Sequence, residues 1–518
     1  MWKKKRTFAP LMKRITYLII LLFSGSFAQA QISRLGDKVQ YSAALQGTAG
    51  SGDVAPFWFT NNRYGLGSNE VNSGLLRAGI HRNAEADSLR KWRIGYGLEL
   101  AGAVNHDSYL VIQQCYADFQ YKAVRLSVGQ KERPLELKDQ QLSTGGMTTG
   151  INARPLPQVR LELPDFWTIP RTKGWLALKA HIAYVIYTDN GWQSDFASSS
   201  NSLYTHNSLY HSKAGFLRIG NKESFPLTLT GGLEMSAQFG GEAWNLEDRA
   251  DHADPNFQSN QKLPHGLKAF WHAFIPGGND VNDGDYANSE GNQLGSWHLR
   301  LDYHGKGWGA AIYAEHFFED HSQMFWQYPW KDMLYGGEVH LPKNPVLSTI
   351  VYEHVRTTDQ SGPIYHDVTT ALPEGIYGID NYYNHQVYGA WQHAGFSMGN
   401  PLLISPLYNN NGHIAFSDNR VKAHHIGIKG CPIPEISYRI LYTHEKSWGT
   451  YSTPYTDPKK ADYLLVEASY APRQVKGLSI TAAYGQNRGT LLGLSKGGML
   501  TLAYSGWIKK QTRPKVKN

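Results

Sequence analysis

Four short patterns in this chain have residue types and spacings that could do chemistry. Gly493-Leu494-Ser495-Lys496-Gly497 has the G-x-S-x-G spacing that presents a serine nucleophile on a strand-to-helix turn of a parallel sheet. Its flanks, 478–487 and 498–508, alternate like two antiparallel strands, so the stretch reads as a glycine-rich hairpin. Ser88-Leu89-Arg90-Lys91 fits S-x-x-K but lacks the companion motifs. Asp280, Asn282, Asp283 and Asp285 resemble a calcium loop. Position six is not Gly and position twelve is not Glu, so a solvated acidic loop is the reading. His316 and His321 flank Glu319-Asp320 in EHFFEDH. A carboxylate pair is the equipment of glycoside hydrolysis, but the plainer reading is hydrogen-bonded residues at the base of a loop. None of the 21 histidines forms H-E-x-x-H, and His424-His425, being adjacent, point to opposite faces of a strand. No catalytic residue, metal or cofactor is assigned, and the chain is not expected to be an enzyme.

Binding chemistry is better supplied. Trp192, Trp244, Trp271, Trp326, Tyr328 and Trp330, with Trp448 and Tyr451, lie in or beside long polar connections. Aromatic rings can stack on the apolar faces of sugars while nearby Asp, Asn, His and Arg bond the hydroxyls. The competing reading is a girdle of Trp and Tyr at a membrane boundary. For Trp326, Tyr328 and Trp330 both readings stand. Trp192 and Trp271, further from strand ends, favour loop contact.

The elements that would carry these loops are strands. In 91–105, KWRIGYGLELAGAVN, the residues Trp92, Ile94, Tyr96, Leu98, Leu100 and Val104 share one side of a period-2 repeat. Arg93, Gly95, Gly97, Glu99, Ala101 and Ala103 share the other. The run is long enough to cross a bilayer when tilted. Segments 227–239, 297–304 and 436–444 repeat the pattern. Further strands are expected near 38–48, 74–84, 108–121, 123–130, 158–164, 174–187, 208–220, 308–318, 333–341, 346–357, 386–396, 412–430, 462–472, 478–487 and 498–508. Charged residues on the second face are costly in a dry core and ordinary on a wet lumen wall. Odd-numbered connections are mostly long (49–73, 131–157, 188–207, 240–293, 319–332, 358–385). Even-numbered ones are mostly short (Lys122, Asn221–Phe225, Gly305–Gly307, Pro342–Pro345). This is the asymmetry of an outer-membrane barrel, with both termini on the short-turn, periplasmic side. The expectation is an all-β transmembrane antiparallel β-barrel of about 18 strands with long extracellular loops, in the bacterial outer membrane. Leu267–Ile275 is expected to form a short helix in the longest loop.

Residues 1–30 read as a signal peptide. Lys3, Lys4, Lys5, Arg6, Lys13 and Arg14 form its basic region, Ile15–Phe27 its apolar stretch, and Ala28-Gln29-Ala30 its cleavage site. Residues 31–508 would form the barrel and 509–518 a basic tail. The formal charge of +8 belongs to these ends, and the body between them is near −3. That excludes a case for nucleic-acid binding, which needs a basic folded surface. Cys115 and Cys431 lie far apart, Cys115 in mid-strand, and read as unpaired.

The chain resembles the capsule assembly Wzi family in its Bacteroidetes form. The segments that carry the resemblance are APFWFTNNRYGL (55–66), LSTGGMTTGINARPLPQVRL (142–161), QFGGEAW (238–244), GNQLGSW (291–297), EHFFEDHS (315–322), YEHVRTTDQSG (352–362) and NRVKAHHIGIKG (419–430). It implies an 18-stranded outer-membrane barrel. Its implied role is lectin-like and non-enzymatic, holding capsular or extracellular polysaccharide on the cell. Two features depart from the pattern. Too few residues precede the first strand for the periplasmic helical part of enterobacterial members. And Trp507-Ile508 is followed by a basic tail where barrels commonly finish on an aromatic. The expected partners are polysaccharide and outer-membrane lipid, with the chain a monomer. The rival readings are a channel or exporter for polysaccharide or small solutes, and an outer-membrane hydrolase or acyl-modifying enzyme.

Overall fold

The computed structural model describes residues 35–508, apart from 88–89, 248–257, 278–289, 320–322, 325–329, 343, 345, 365–369 and 372–377. The leader and the basic tail expected from the sequence lie outside the described residues, as do Asp280, Asn282, Asp283 and Asp285.

Eighteen strands make one closed antiparallel sheet. In chain order they are β1 (Gln40–Gly52), β2 (Ser73–Arg82), β3 (Trp92–Val104), β4 (Leu110–Tyr121), β5 (Val124–Gln130) and β6 (Gln158–Thr168). Next come β7 (Leu176–Ile186), β8 (Leu209–Ile219), β9 (Leu227–Phe239), β10 (Asn292–His304), β11 (Gly309–Glu319) and β12 (Met333–His340). The last are β13 (Thr349–Arg356), β14 (Val421–Ile433), β15 (Ile436–Gly449), β16 (Pro454–Tyr470), β17 (Leu478–Gly489) and β18 (Ser495–Trp507). Each strand pairs with its neighbours in sequence. The ring closes where β1 meets β18, in register from Gln40–Trp507 to Gly52–Ser495.

The alternation that forms the strands also sorts their faces. On β3, Trp92, Leu98, Leu100 and Val104 are exposed on the outer surface, whereas Ala101 and Ala103 are buried. Exposed Leu, Ile and Val continue around the outside of the ring, the apolar band that a bilayer requires. Aromatic residues mark its short-turn edge. Trp92 and Tyr121 have ring centroids 4.5 Å apart, and Tyr303 and Trp308 lie 4.9 Å apart. Trp167, Trp175 and Trp507 are exposed at the same end. Several charges on the inner face are paired. Arg77 meets Glu99 at 2.5 Å, Lys131 meets Asp118 at 2.5 Å, and Arg439 meets Glu467 at 2.7 Å.

One expected strand is corrected. Segment 386–396 is not part of the wall. It lies within the connection from β13 to β14, which runs from 357 to 420. It forms only two minimal pairings, Asn384–His385 with Gly389–Ala390 and Gln392–His393 with Phe396–Ser397. Residues 390–404 are buried throughout, with no exposed alternate face, so the apolar residues here mark a core segment. Segment 412–430 likewise contributes to the wall only from Val421 onward.

Among the described residues, three short α-helices sit in the long connections: α1 (Phe57–Thr60), α2 (Trp192–Ala197) and α3 (Leu267–Phe274). The last matches the helix expected at Leu267–Ile275.

Candidate functional site

Two of the long connections turn inward and fill the barrel. The β5–β6 connection (131–157) carries Ser143, Thr144 and Thr148, small residues whose hydroxyls can hydrogen-bond to a polar wall. Glu353 on β13 accepts bonds from the Ser143 hydroxyl at 2.7 Å, the Thr144 amide at 2.7 Å, the Thr144 hydroxyl at 2.6 Å and the Tyr313 hydroxyl at 2.7 Å. Glu315 accepts the Met147 amide at 2.7 Å and pairs with the Lys138 ammonium. The imidazole of His425 bridges the Leu142 carbonyl at 2.7 Å and the Thr443 hydroxyl at 2.8 Å. Close approach needs a bare wall: a Cβ on Gly427 of β14 would lie 2.8 Å from the Leu142 side chain.

The β13–β14 connection packs on the first. Trp391 donates its indole N–H to the Thr148 carbonyl at 2.8 Å, and Gly150 donates to the Met398 carbonyl at 2.8 Å. Tyr383 donates its amide to Glu319 at 2.6 Å. Phe57 of α1 stacks on Tyr463 of the wall, with centroids 4.1 Å apart and planes 11° apart. These segments share one apolar core with wall residues Val351, Leu441 and Leu465. They leave a cavity of about 310 Å³ between 131–157 and the wall, lined by Arg125, Arg133, Arg160, Glu162, Lys179 and Tyr210 among others. Burial, with Arg160 nearby, pushes the Arg133 guanidinium down to about 10.

Above the plug, the described aromatic residues fall into separate groups. Trp192 begins α2 and stacks on Phe196 at 4.7 Å and 19°. Its other contact is Gly395, where a Cβ would lie 2.7 Å from the ring, so Trp192 fastens α2 to the plug. Trp244 lies in a small sheet, Tyr204–His206, Glu242–Trp244 and Gln261–Lys262, parallel to the Tyr204 ring at 6.1 Å. Its indole N–H is buried with no hydrogen-bond partner. Trp271 is 59 % exposed on α3 and shares one helix face with exposed Leu267 and Ile275. The opposite face buries Ala269 and Ala273 against Phe239 and neighbouring rings. Trp330 stacks on His316 at 4.3 Å and 11°. Trp326 and Tyr328 lie outside the described residues. At the β14–β16 edge, Lys422 and Lys446 approach the Trp448 ring at 5.5 and 4.9 Å, and Arg420 covers Tyr451 at 3.8 Å.

Of the motifs with catalytic spacing, Ser88-Leu89 of the S-x-x-K match lies outside the described residues, and the described parts of the others take up structural places. Gly493–Gly497 spans the β17–β18 hairpin. His316 is bonded on both nitrogens, to the Asp332 and Gln323 carbonyls at 2.8 and 3.1 Å. Asp320 and His321 lie outside the described residues. Glu234, His298 and Glu315 bring ligand-type atoms within 4.8 Å of one another, a donor set of the kind a divalent ion takes. Lys138 and the Thr149 hydroxyl already engage the two carboxylates, which fastens 131–157 to the wall. Ser143 and Thr144 of the plug and Glu353 of the wall were not singled out individually from the sequence, although they lie in 142–161 and 352–362, two of the segments that carry the family resemblance. Ser143 and Thr144 are also marked by the Ser-Thr-Gly run of 143–150.

No known family's sequence profile matches this chain, and no curated protein sequence matches it. Solved structures do. Wzi of Escherichia coli, an outer-membrane protein of group 1 capsule assembly described as a carbohydrate-binding β-barrel, matches 92 % of this chain and 86 % of its own, at 11 % identity and TM-score 0.51. Two Pseudomonas aeruginosa proteins follow. OccD3 covers 92 % of both chains at 10 % identity and TM-score 0.44, and the outer-membrane protein opdK covers 90 % and 98 % at 11 % and 0.43. At 11 % identity the Wzi match speaks to the fold alone, and with the closed ring and its apolar outer band it establishes an eighteen-stranded β-barrel of the bacterial outer membrane.

Proposed function

We propose that this protein is a non-enzymatic, lectin-like barrel of the Wzi type that holds capsular or extracellular polysaccharide at the cell surface and aids capsule assembly. The observation that carries the reading is the filled lumen. Two inward connections, hydrogen-bonded to the wall through Glu353, Glu315 and His425, make a platform at the outer end of the ring. Loops with aromatic rings stand on that platform. Trp271 and Trp244 are the ring contacts to a glycan. Trp192 and Trp330, stacked on Phe196 and His316, hold the loops in shape, and Trp326 and Tyr328 belong to the same loop as Trp330. One ring–sugar contact is weak, on the order of 1 kcal/mol. A repeating polymer engages many barrels at once, and the sum gives retention. The carbohydrate-binding description of the Escherichia coli barrel supports this reading.

The proposed mature chain starts at Gln31, after removal of 1–30, and acts as a monomer, with 509–518 a basic extension beyond the last strand. The test is deletion of the gene, followed by assay of cell-bound against shed polysaccharide. A fall in the bound fraction, restored by the intact chain, is expected. An unchanged ratio refutes the role. The rival, a channel, is separated by conductance in planar bilayers: the plugged platform passes little current, and large steady currents would favour transport.

A further inference from the structure

Four cations stand in one line across the outer wall. Arg356 of β13 is directly opposite Lys422 of β14, Lys422 opposite Lys446 of β15, and Lys446 opposite Lys460 of β16. Two residues deeper lies a second row, His354, His424, His444 and Asp462. Two deeper again lie Tyr352, Ile426, Tyr442 and Leu464. The rows face outward, because the alternate residues Val355, Ala423, Glu445 and Ala461 are buried inside the ring. Tyr352, Ile426 and Tyr442 are exposed and belong to the apolar band. The cations therefore sit just above that band, at the long-loop end, level with the headgroups of the outer leaflet.

Like charges directly opposite one another destabilise an antiparallel pair, and here three such pairs follow in succession. Local carboxylates do not pair with the three lysines, and Arg356 has one long ion-pair contact. Asp462 is held by His444 at 3.0 Å and the Tyr442 hydroxyl at 2.6 Å. Asp332 comes no nearer to Arg356 than 4.0 Å. Among the described residues, Lys422, Lys446 and Lys460 form no ion pair. The line is ~14 Å long at the usual spacing between strands. The Trp448 ring, 5.5 and 4.9 Å from Lys422 and Lys446, leaves the positive charge of the row unneutralised, and the row's place at the lipid boundary says which anions can reach it. We propose that Arg356, Lys422, Lys446 and Lys460 form a binding site on the outer wall for a phosphorylated lipid headgroup of the outer leaflet. The cations supply charge-assisted bonds to phosphoryl oxygens. The histidine row below adds hydrogen-bonding groups, and Tyr352, Ile426 and Tyr442 lie against the acyl chains. This site is independent of the polysaccharide reading, since it faces sideways into the membrane.

The test uses the whole barrel in neutral detergent, stripped of co-purified lipid, with lipid A as probe and retention read by native mass spectrometry. Wild type is expected to retain lipid A. Removal of the lipid's phosphates, or the combined Lys422→Gln, Lys446→Gln and Lys460→Gln variant, is expected to weaken retention at least ~10-fold. Lys173→Gln and Lys476→Gln, on short turns at the opposite end, should retain it fully. Inorganic phosphate at equal concentration should not displace the lipid. Retained heat-modifiable gel mobility checks that each variant is a closed barrel. Should the triple variant not fold, the dephosphorylated lipid on wild type decides. Equal retention with and without phosphates, or in the folded triple variant, overturns the proposal. Displacement by an acidic oligogalacturonate at matched concentration also overturns it, because the row would then serve a glycan.

Discussion

Thr144 and Glu353 form a two-point clasp between plug and wall: one carboxylate oxygen takes both the amide and the hydroxyl of the threonine, at 2.7 and 2.6 Å. Removing the carboxylate orphans a buried amide that cannot turn to another partner, at a cost of roughly 1–3 kcal/mol. Glu353→Ala is therefore expected to loosen 131–157 and produce intermittent conductance in planar bilayers, while Glu353→Gln, keeping one acceptor oxygen, has a smaller effect. A variant as silent as wild type would show that the clasp does not hold the plug.

The plug also depends on a missing side chain. Gly427→Ala puts a methyl group 2.8 Å from Leu142, so Leu142 and its backbone must move. A cost of about 1–3 kcal/mol is expected, read as a lower melting temperature of the detergent-solubilised barrel. Unchanged melting would mean that the inner loop yields freely.

Asp332, in the loop between β11 and β12, gives the outer surface a pH response. Burial pushes its carboxyl up to about 6, against the opposing amides of Gln360 and Asp359 at 2.6 and 3.0 Å. A raised carboxyl binds its proton more tightly in the folded state. Its contribution to stability therefore rises as pH falls through about 6, and levels off below the unfolded value near ~4. The span is on the order of 2–3 kcal/mol. Melting temperature should climb from pH 7.5 to pH 5, and Asp332→Asn should remove most of that slope. Equal slopes in the two proteins would assign the response elsewhere.

Trp271 and Trp192 should behave differently. Trp271 is exposed on α3, so Trp271→Ala is expected to leave melting nearly unchanged and to lower the cell-bound fraction of polysaccharide. Trp192 lies between Phe196 and Gly395, so Trp192→Ala is expected to destabilise α2 by about 2–4 kcal/mol. Unchanged retention in Trp271→Ala would remove that ring from the proposed glycan surface, and unchanged melting in Trp192→Ala would show that α2 is held without it.

The wall was legible because a strand residue's face is decided by neighbours two positions away. Trp92 to Val104 could be sorted from their own order, and the long and short connections then gave the ring its direction. The plug was not legible, because its partners are distant: Thr144 and Glu353 are 209 positions apart. Segment 386–396 looked like a strand because Tyr388, Trp391 and Phe396 are apolar. They are apolar because they fill the lumen. The cationic row was equally hidden, since Arg356, Lys422, Lys446 and Lys460 become neighbours only once the register of four strands is fixed. Among the aromatic residues, composition marked Trp192 and Trp271 alike, and packing separated an internal fastener from an exposed ring.

The seam between β1 and β18 sets an order on biogenesis. Gln40 finds its second sheet neighbour only in Trp507, so the first strand keeps an open edge while the rest of the wall is laid down. Until the last hairpin arrives, the structure is a curved sheet with two sticky margins, exposed to pairing with other chains. Ring closure is therefore a single late event, and an assembly factor that shields the edge at Gln40–Gly52 would guard the stage at which this protein is easiest to lose.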